Sequence, residues 1–406
     1  MAYVDLVRFN PWWANAKAIE GDADILRFNE QGIKFYPQFD VGEGIFVLRG
    51  PRQVGKTTLA KLKIRELLAG NKARNVFYYS LDLLKTPKEI HDIVLEYLEE
   101  VAEEGKRFLF LDEATGIPDW ATAIKLLVDR GDIKRSDFVF VTGSSSIDLK
   151  KGAERLPGRG IEGNEFYYLP CSFHDFLKLK GITLPALNPI DSKEFWEQAR
   201  ENAPKILELN KEFRLFLNNG GFLVSINNGK SELLMEKYAR WLEGDFTKWG
   251  KNPSVAKEVV QAVIKKAGSQ FSYHALVKET TVATHNTVID YLEMLEEELF
   301  LKTMNKISLP FKIERKKEKK AFFLDPLLCA IGERWAGGIE FPEASKVEQI
   351  VAAHISRLAS AYFYNDGRQE IDCVAKIKGK TLGIEVKWSD NIKAGDTYAV
   401  KNTNVH

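Results

Sequence analysis

The residues Gly50-Pro51-Arg52-Gln53-Val54-Gly55-Lys56-Thr57 put two glycines, a lysine and a hydroxyl in the order G-x-x-x-x-G-K-[ST], and Thr58 opens a run of helical composition behind them. The glycines let successive backbone N–H groups turn toward phosphate oxygens, and a helix starting there adds the positive end of its dipole. Lys56 is then placed to reach the outer phosphates of ATP, and Thr57 to ligate its Mg2+. The competing reading, a glycine-rich turn that precedes a helix, is weakened by the strand-like run leading directly into Gly50. A second set stands behind the apolar run Phe108-Leu109-Phe110-Leu111, where Asp112 and Glu113 are adjacent. Open α/β sheets hold ligands at the carboxyl ends of their strands. Asp112 then belongs to the Mg2+ shell and Glu113 to the attacking water, which points to hydrolysis rather than transfer to a small molecule. A solvated pair of acids at a strand end is the alternative.

Two further constellations carry chemistry. Phe138-Val139-Phe140-Val141 runs into Thr142-Gly143-Ser144-Ser145-Ser146, so Thr142 or Ser144 could orient the water or sense the outer phosphate. An ordinary Gly-Ser turn explains the same residues. Near the C-terminus, two β-like runs flank Lys378-Gly379, a pair suited to a two-residue hairpin loop. That register sets Asp372 opposite Glu385, and strand period two brings Lys387 to the same face. Two carboxylates and a cation around one point suit a second divalent-metal site for phosphodiester hydrolysis. Charges alternating along an exposed strand are the plainer reading.

The elements that must position these residues follow from hydrophobic period. Short buried runs at 45–49, 76–81, 108–111, 138–142 and 166–169 alternate with helical segments, which predicts a parallel α/β sheet buried on both faces. Thr86-Pro87-Lys88-Glu89 is a capping box with proline at the first helical position and starts one of the crossover helices. Beyond Pro170 the pattern is helical to about Phe246 and predicts a lid. The segments 271–277 and 284–292 then read as helix, turn, helix, with Thr284, His285, Asn286 and Thr287 at the start of the second helix. The basic stretch 312–320 that follows, six basic against two acidic residues, resembles a wing for a nucleic-acid backbone. Glu293, Glu296, Glu297 and Glu298 in the same helix oppose a phosphate surface, so a protein-binding or purely structural role stays open.

Composition bounds the rest. A chain of 406 residues fits several packed units. With 58 basic and 57 acidic residues it has almost no net field, so any nucleic-acid contact must be a local patch. The three cysteines, Cys171, Cys329 and Cys373, are far apart and odd in number, as reduced thiols in a cytoplasmic protein are. No apolar run reaches the ~18 residues of a membrane span, and the N-terminus shows no export signal.

Taken together, Asn10-Pro11-Trp12-Trp13, residues 50–57, Leu111-Asp112-Glu113, Thr142-Gly143-Ser144-Ser145, Leu156-Pro157-Gly158-Arg159 and Leu169-Pro170-Cys171-Ser172-Phe173 resemble the AAA+-type ATPases common in archaea. In that family a P-loop ATPase core and helical lid precede a winged helix and a restriction-endonuclease-like domain. The resemblance implies a core over residues 1–175, a lid over 176–248, a winged helix over 249–332 and a partial nuclease-like α/β domain over 333–406. It also implies a sensor role for Thr142 and Ser144. Arg159 becomes the arginine finger, with Arg155 in reserve, and a finger given in trans brings a homo-oligomer with it. Trp12 and Trp13 are either a wall for adenine or core. At the C-terminus the resemblance casts Asp372 and Glu385-Val386-Lys387 as a D…E-x-K signature. Glu348 is either its helix glutamate or one half of a capping box with Ser345. The function expected is an ATP-hydrolysing machine coupled to DNA binding or processing. The alternative is an ATP-dependent switch or scaffold that binds protein partners and cuts nothing.

Overall fold

The computed structural model describes residues 3–30, 36, 39–156, 158, 164–184, 188, 192–201 and 203–389. The chain divides into two units, Met1–Leu169 and Pro170–His406.

In the first unit the five apolar runs form strands β1 (Gly44–Arg49), β2 (Val76–Ser80), β3 (Phe108–Asp112), β4 (Phe138–Thr142) and β5 (Glu165–Tyr167). They make one parallel sheet in the order β2-β3-β4-β1-β5. The helices are α1 (Tyr3–Phe9), α2 (Ala23–Glu30), α3 (Lys56–Leu68), α4 (Pro87–Glu100), α5 (Ala121–Arg130) and α6 (Ser146–Ala153). Parallel strands need crossovers, and the helices that supply them cover the sheet, so the inner strands read as unbroken apolar runs. β5 departs from the expected burial: Glu165 and Tyr167 are exposed and Phe166 is half-buried. Among the described residues it is an edge strand with one neighbour, β1: Phe166 packs against Phe39 and Phe46 on one face, and Glu165 and Tyr167 are exposed on the other. The capping box of α4 forms as read, with Thr86 and Glu89 each accepting the other's backbone N–H.

The opposite edge, β2, is closed by the segment that carries Trp12 and Trp13. The Asn10 amide takes the Tyr78 N–H at 2.7 Å and donates to the Tyr78 carbonyl at 3.0 Å. Both indole N–H groups donate to the Val76 carbonyl, at 2.8 and 3.0 Å. Trp12 is 1% exposed, and Trp13 stacks on Tyr97 with ring centroids 5.8 Å apart. The tryptophans are therefore core and edge cover, and the adenine-wall reading fails. Side chains here satisfy backbone groups that an edge strand would otherwise present to another chain.

The second unit opens with helices α7 (Phe173–Leu179), α8 (Lys193–Glu201), α9 (Ile206–Asn219), α10 (Leu223–Asn228), α11 (Glu232–Lys248), α12 (Pro253–Lys265), α13 (Tyr273–Val277) and α14 (His285–Glu297). Then come β6 (Leu301–Ser308), β7 (Lys312–Phe323), α15 (Pro326–Trp335), α16 (Glu343–Ile355), β8 (Ala361–Asn365), β9 (Glu370–Ile377) and β10 (Lys380–Ile384). The five strands form one mixed sheet in the order β10-β9-β8-β6-β7. Among the described residues its only parallel pairing joins β6 to β8. The strands read as a wing and those read as a nuclease-like hairpin thus share a sheet. The Ser345 capping box does not form: α16 begins at Glu343 behind Pro342, so Ser345 and Glu348 lie inside the helix. The three cysteines are free. Among the described residues no helix is long and apolar enough to cross a membrane.

Candidate nucleotide site and hairpin site

Residues 50–55 connect β1 to α3, as the motif requires. Gly50 has no alternative: a Cβ there would lie 2.4 Å from the Tyr168 carbonyl oxygen. Gly55 caps α3 with φ 102°, a left-handed conformation that glycine adopts without a Cβ clash. Gln53 also has a positive φ, 62°, within the same turn. Pro51 and Val54 are buried, Arg52, Thr57 and Thr58 half-buried, and Gln53 exposed. The buried Lys56 lies back across the loop, its ammonium donating to the carbonyls of Gly50 at 2.8 Å and Pro51 at 3.1 Å.

The β3 end meets this loop. Asp112 is 3% exposed and hydrogen-bonds the Thr57 hydroxyl. Its Oδ2 also accepts the Tyr78 O–H at 3.0 Å, and its Oδ1 the Glu113 N–H at 3.1 Å. Burial raises its pKa against these three donors and the Lys56 charge. Glu113, at φ 55°, turns out of the strand. Burial raises its carboxyl too, the Asp112 charge adds to the shift, and Lys56 opposes it. A carboxylate biased toward taking a proton is what a general base needs.

The β4 end separates the two sensor candidates. Ser144 hydrogen-bonds Glu113, and its Oγ lies 3.4 Å from Thr115 Oγ1. Thr142 is 1% exposed, and its hydroxyl has no partner among the described residues. Arg159 lies outside the described residues. Arg155, the reserve, is an exposed side chain paired with Asp119.

Sequence reasoning missed the support under Asp112. Lys61 of α3 is buried, 3.2 Å from Asp22 and 3.4 Å above the Tyr78 ring. The only signal in the sequence was a hydroxyl-bearing aromatic within an apolar strand.

In the second unit the hairpin turns at Lys378-Gly379, with φ 49° and 84°. Its register runs from Lys380 facing Ile377 to Ile384 facing Cys373. The pairing ends there, one step short of the expected Asp372 and Glu385 pair, and Asp372 Oδ2 accepts the Val386 N–H at 3.0 Å. Glu385 is engaged by Lys387 at 2.5 Å. Among the described residues no group of three or more His, Cys, Asp or Glu side chains is placed to hold a metal.

The helix-turn-helix segment places Thr284 at the N-cap of α14, accepting the Thr287 N–H at 3.2 Å, with His285 and Asn286 exposed. Of the four opposing acids, only Glu293 is exposed. Glu298 is buried, Glu297 is half-buried, and Glu296 is spent on the Thr303 N–H at 2.6 Å. Two of the six wing cations are buried, Lys319 and Lys320, while Lys312, Arg315, Lys316 and Lys317 are exposed. Pairing jumps from Asn305 with Lys319 to Lys306 with Glu314, so residues 315–318 form a bulge. Lys319 pins its base by donating to Asn305 Oδ1 at 2.7 Å and the Arg315 carbonyl at 2.5 Å.

A parallel sheet with a glycine-rich loop leading into a helix, and acids at a neighbouring strand end, defines a P-loop nucleotide-binding fold. Residues 42–177 match the family model described as an AAA domain, which covers less than half of the chain. The structure is similar to a Walker-type ATPase of Pyrococcus abyssi at 12% identity and a TM-score of 0.42, covering 79% of this chain and 97% of that one. It is similar to the Orc1 protein of Aeropyrum pernix, solved in complex with DNA, at 12% identity and a TM-score of 0.31, covering 86% and 97%. RuvB of Thermotoga maritima follows at 14% identity and a TM-score of 0.26, covering 77% and 92%. A comparison with curated proteins finds no match.

Proposed function

We propose that the chain is an ATP-hydrolysing AAA+-type ATPase whose second unit couples turnover to DNA through a winged helix. The meeting of Lys56, Thr57, Asp112 and Glu113 at the carboxyl ends of β1 and β3 carries this reading. Lys56 exchanges its two carbonyl partners for the outer phosphates of ATP. The Thr57 hydroxyl and Asp112 carboxylate are hard oxygen donors already in contact, a set that fits Mg2+. Bound there, the ion would neutralise charge on the phosphates. Glu113 takes a proton from the attacking water, and Ser144 holds Glu113 in place.

The DNA part rests on the second unit. The order α12, α13, α14, β6, β7, with Phe271 bridging to Lys319, supports a winged helix. The exposed start of α14 offers side chains suited to base edges or phosphates, and the bulge 315–318 offers cations to the backbone. The test is steady-state ATP turnover with and without single- and double-stranded DNA. Stimulation is expected in the wild type, and Glu113→Gln is expected to retain ATP while losing roughly 10²-fold or more in turnover. Full turnover in Glu113→Gln would remove the glutamate from the mechanism. Indifference to every DNA would leave a switch acting on protein partners.

A further inference from the structure

Of the hairpin carboxylates, Asp372 is already engaged on both oxygens, while Glu385 holds Lys387 through Oε1 and keeps a buried Oε2 with no partner among the described residues. Lys320 of β7 is 2% exposed and directs its ammonium at Glu370 Oε1 at 2.7 Å, Glu348 Oε1 at 2.9 Å and Asp372 Oδ1 at 3.5 Å. The acids come from α16 and β9, and the cation comes from the far edge strand of the same sheet. The other oxygens of the two β9 acids are also engaged. Asp372 Oδ2 takes the Val386 N–H, and Glu370 Oε2 takes the Asn365 amide at 3.3 Å. Glu385, the remaining acid of the expected metal pair, holds Lys387. Every acid that the nuclease resemblance would assign to a divalent ion is thus paired with a lysine of this chain.

The donor set therefore does not fit a resident metal in this arrangement. A divalent ion such as Mg2+ asks for near-octahedral oxygens at about 2.0–2.1 Å. The ammonium sits where oxygens of Glu348, Glu370 and Asp372 converge, and a second cation held by Glu348 and Asp372 in that small, poorly hydrated volume would be strongly repelled. Lys320 is buried with three carboxylates around its ammonium. A buried ammonium matched to acids on two other elements is a built ion-pair network, and removing one member leaves buried charge uncompensated.

We propose that Lys320 is the built-in cation of this carboxylate site: it takes the place beside Asp372 and Glu348 that a divalent metal would need, ties β7 to α16 and β9, and leaves the hairpin without metal-dependent nuclease activity. The reason is chemical occupancy by a named side chain, independent of whether the sheet is complete and of the ATPase reading above.

The experiment titrates the full chain, without nucleotide, with Mn2+ and reads free Mn2+ by electron paramagnetic resonance. Lys320→Met keeps most of the side-chain volume and removes the charge. Asp372→Asn reports whether any bound ion uses this site. The wild type is expected to show no Asp372-dependent binding at millimolar Mn2+. Lys320→Met is expected to gain one site, at least tenfold tighter than any in the wild type, that disappears in Lys320→Met/Asp372→Asn. Failure of a folded Lys320→Met protein to gain that site would overturn the proposal. Asp372-dependent Mn2+ binding, or Asp372-dependent cleavage of supercoiled DNA, by the wild type would overturn it as well. Should Lys320→Met not fold, the wild-type and Asp372→Asn titrations still decide: equal curves support the proposal and unequal curves sink it.

Discussion

Asp112 shows what single residues contribute that a motif does not state. A carboxylate that is to hold a metal must be fixed in rotation, and here Thr57, the Glu113 N–H and the Tyr78 hydroxyl each take part. Burial, with Asp112 adding, raises the Tyr78 phenol well above its usual range, so it remains a donor across the working pH. Tyr78→Phe leaves Asp112 Oδ2 buried without that donor, a defect worth about 1–3 kcal/mol. The expected outcome is a Mg2+ requirement for turnover raised at least about fivefold, with affinity for metal-free ATP unchanged, read from Mg2+ titrations at fixed ATP. A superimposable Mg2+ curve would end the positioning role. The loop and the acid pair were legible in the sequence because each motif is contiguous. Tyr78 and Lys320 were not, because their partners lie 34 and 28 or more residues away, and only strand register brings them together.

Elements were legible where period and caps are local. Strands β1 to β4 formed within a residue of the expected runs and the α4 cap formed as read, since apolar runs and a Thr-Pro-x-Glu start act over a few residues. Of the two readings of Glu348 the capping box fails, because a serine three residues before a glutamate can lie within a helix, and Pro342 had already begun this one. The basic stretch shows what a count of charges leaves out. Of the six cations, pairing with β6 buries Lys319 and Lys320 and throws Arg315, Lys316 and Lys317 outward in the bulge. On the DNA reading, those three side chains contact phosphates. Replacing all three with alanine should weaken DNA binding uniformly across sequences and reduce the salt slope of log K by about 2–3, at roughly 0.9 per phosphate for duplex DNA. ATP turnover without DNA should stay at the wild-type rate. An unchanged slope in fluorescence anisotropy titrations across salt would remove the bulge from the interface.

At the scale of the molecule, the sequence suggested four consecutive segments, whereas strand pairing knits the last two. β6 lies beside β8 in parallel, a contact across more than fifty residues that no local pattern encodes. The second unit is also closed by polar contacts between its first helix and α16, and these give it a pH dependence. His354 of α16 accepts the Phe173 N–H at Nε2, 3.0 Å, and donates from Nδ1 to the Ile350 carbonyl at 2.7 Å. Both nitrogens are used by the neutral ring, and a second proton would set one N–H against another. Burial, then the Arg357 charge, lowers its pKa to about 4, while the Ile350 carbonyl and Asp175 oppose the shift. Because the folded value lies below the ordinary 6.5, this contribution is present above pH 6.5 and is lost as pH falls from 6.5 through 4. Buried Asp325 and Glu348, both raised to about 7, act in the opposite direction over an overlapping range. The comparison that isolates His354 is therefore wild type against His354→Gln, an uncharged side chain that can still accept and donate. Between pH 7 and pH 5 the wild type should lose roughly 2 kcal/mol relative to the variant, from about 1.4 kcal/mol per pKa unit. Hydrogen exchange corrected for intrinsic rate should show this as a roughly twentyfold relative fall in protection over Phe173–Leu179 and Glu343–Ile355. Parallel pH profiles for the two proteins would mean that the ring accepts its second proton in the folded state as readily as in the unfolded chain, and the contact with α7 would then carry no pH dependence.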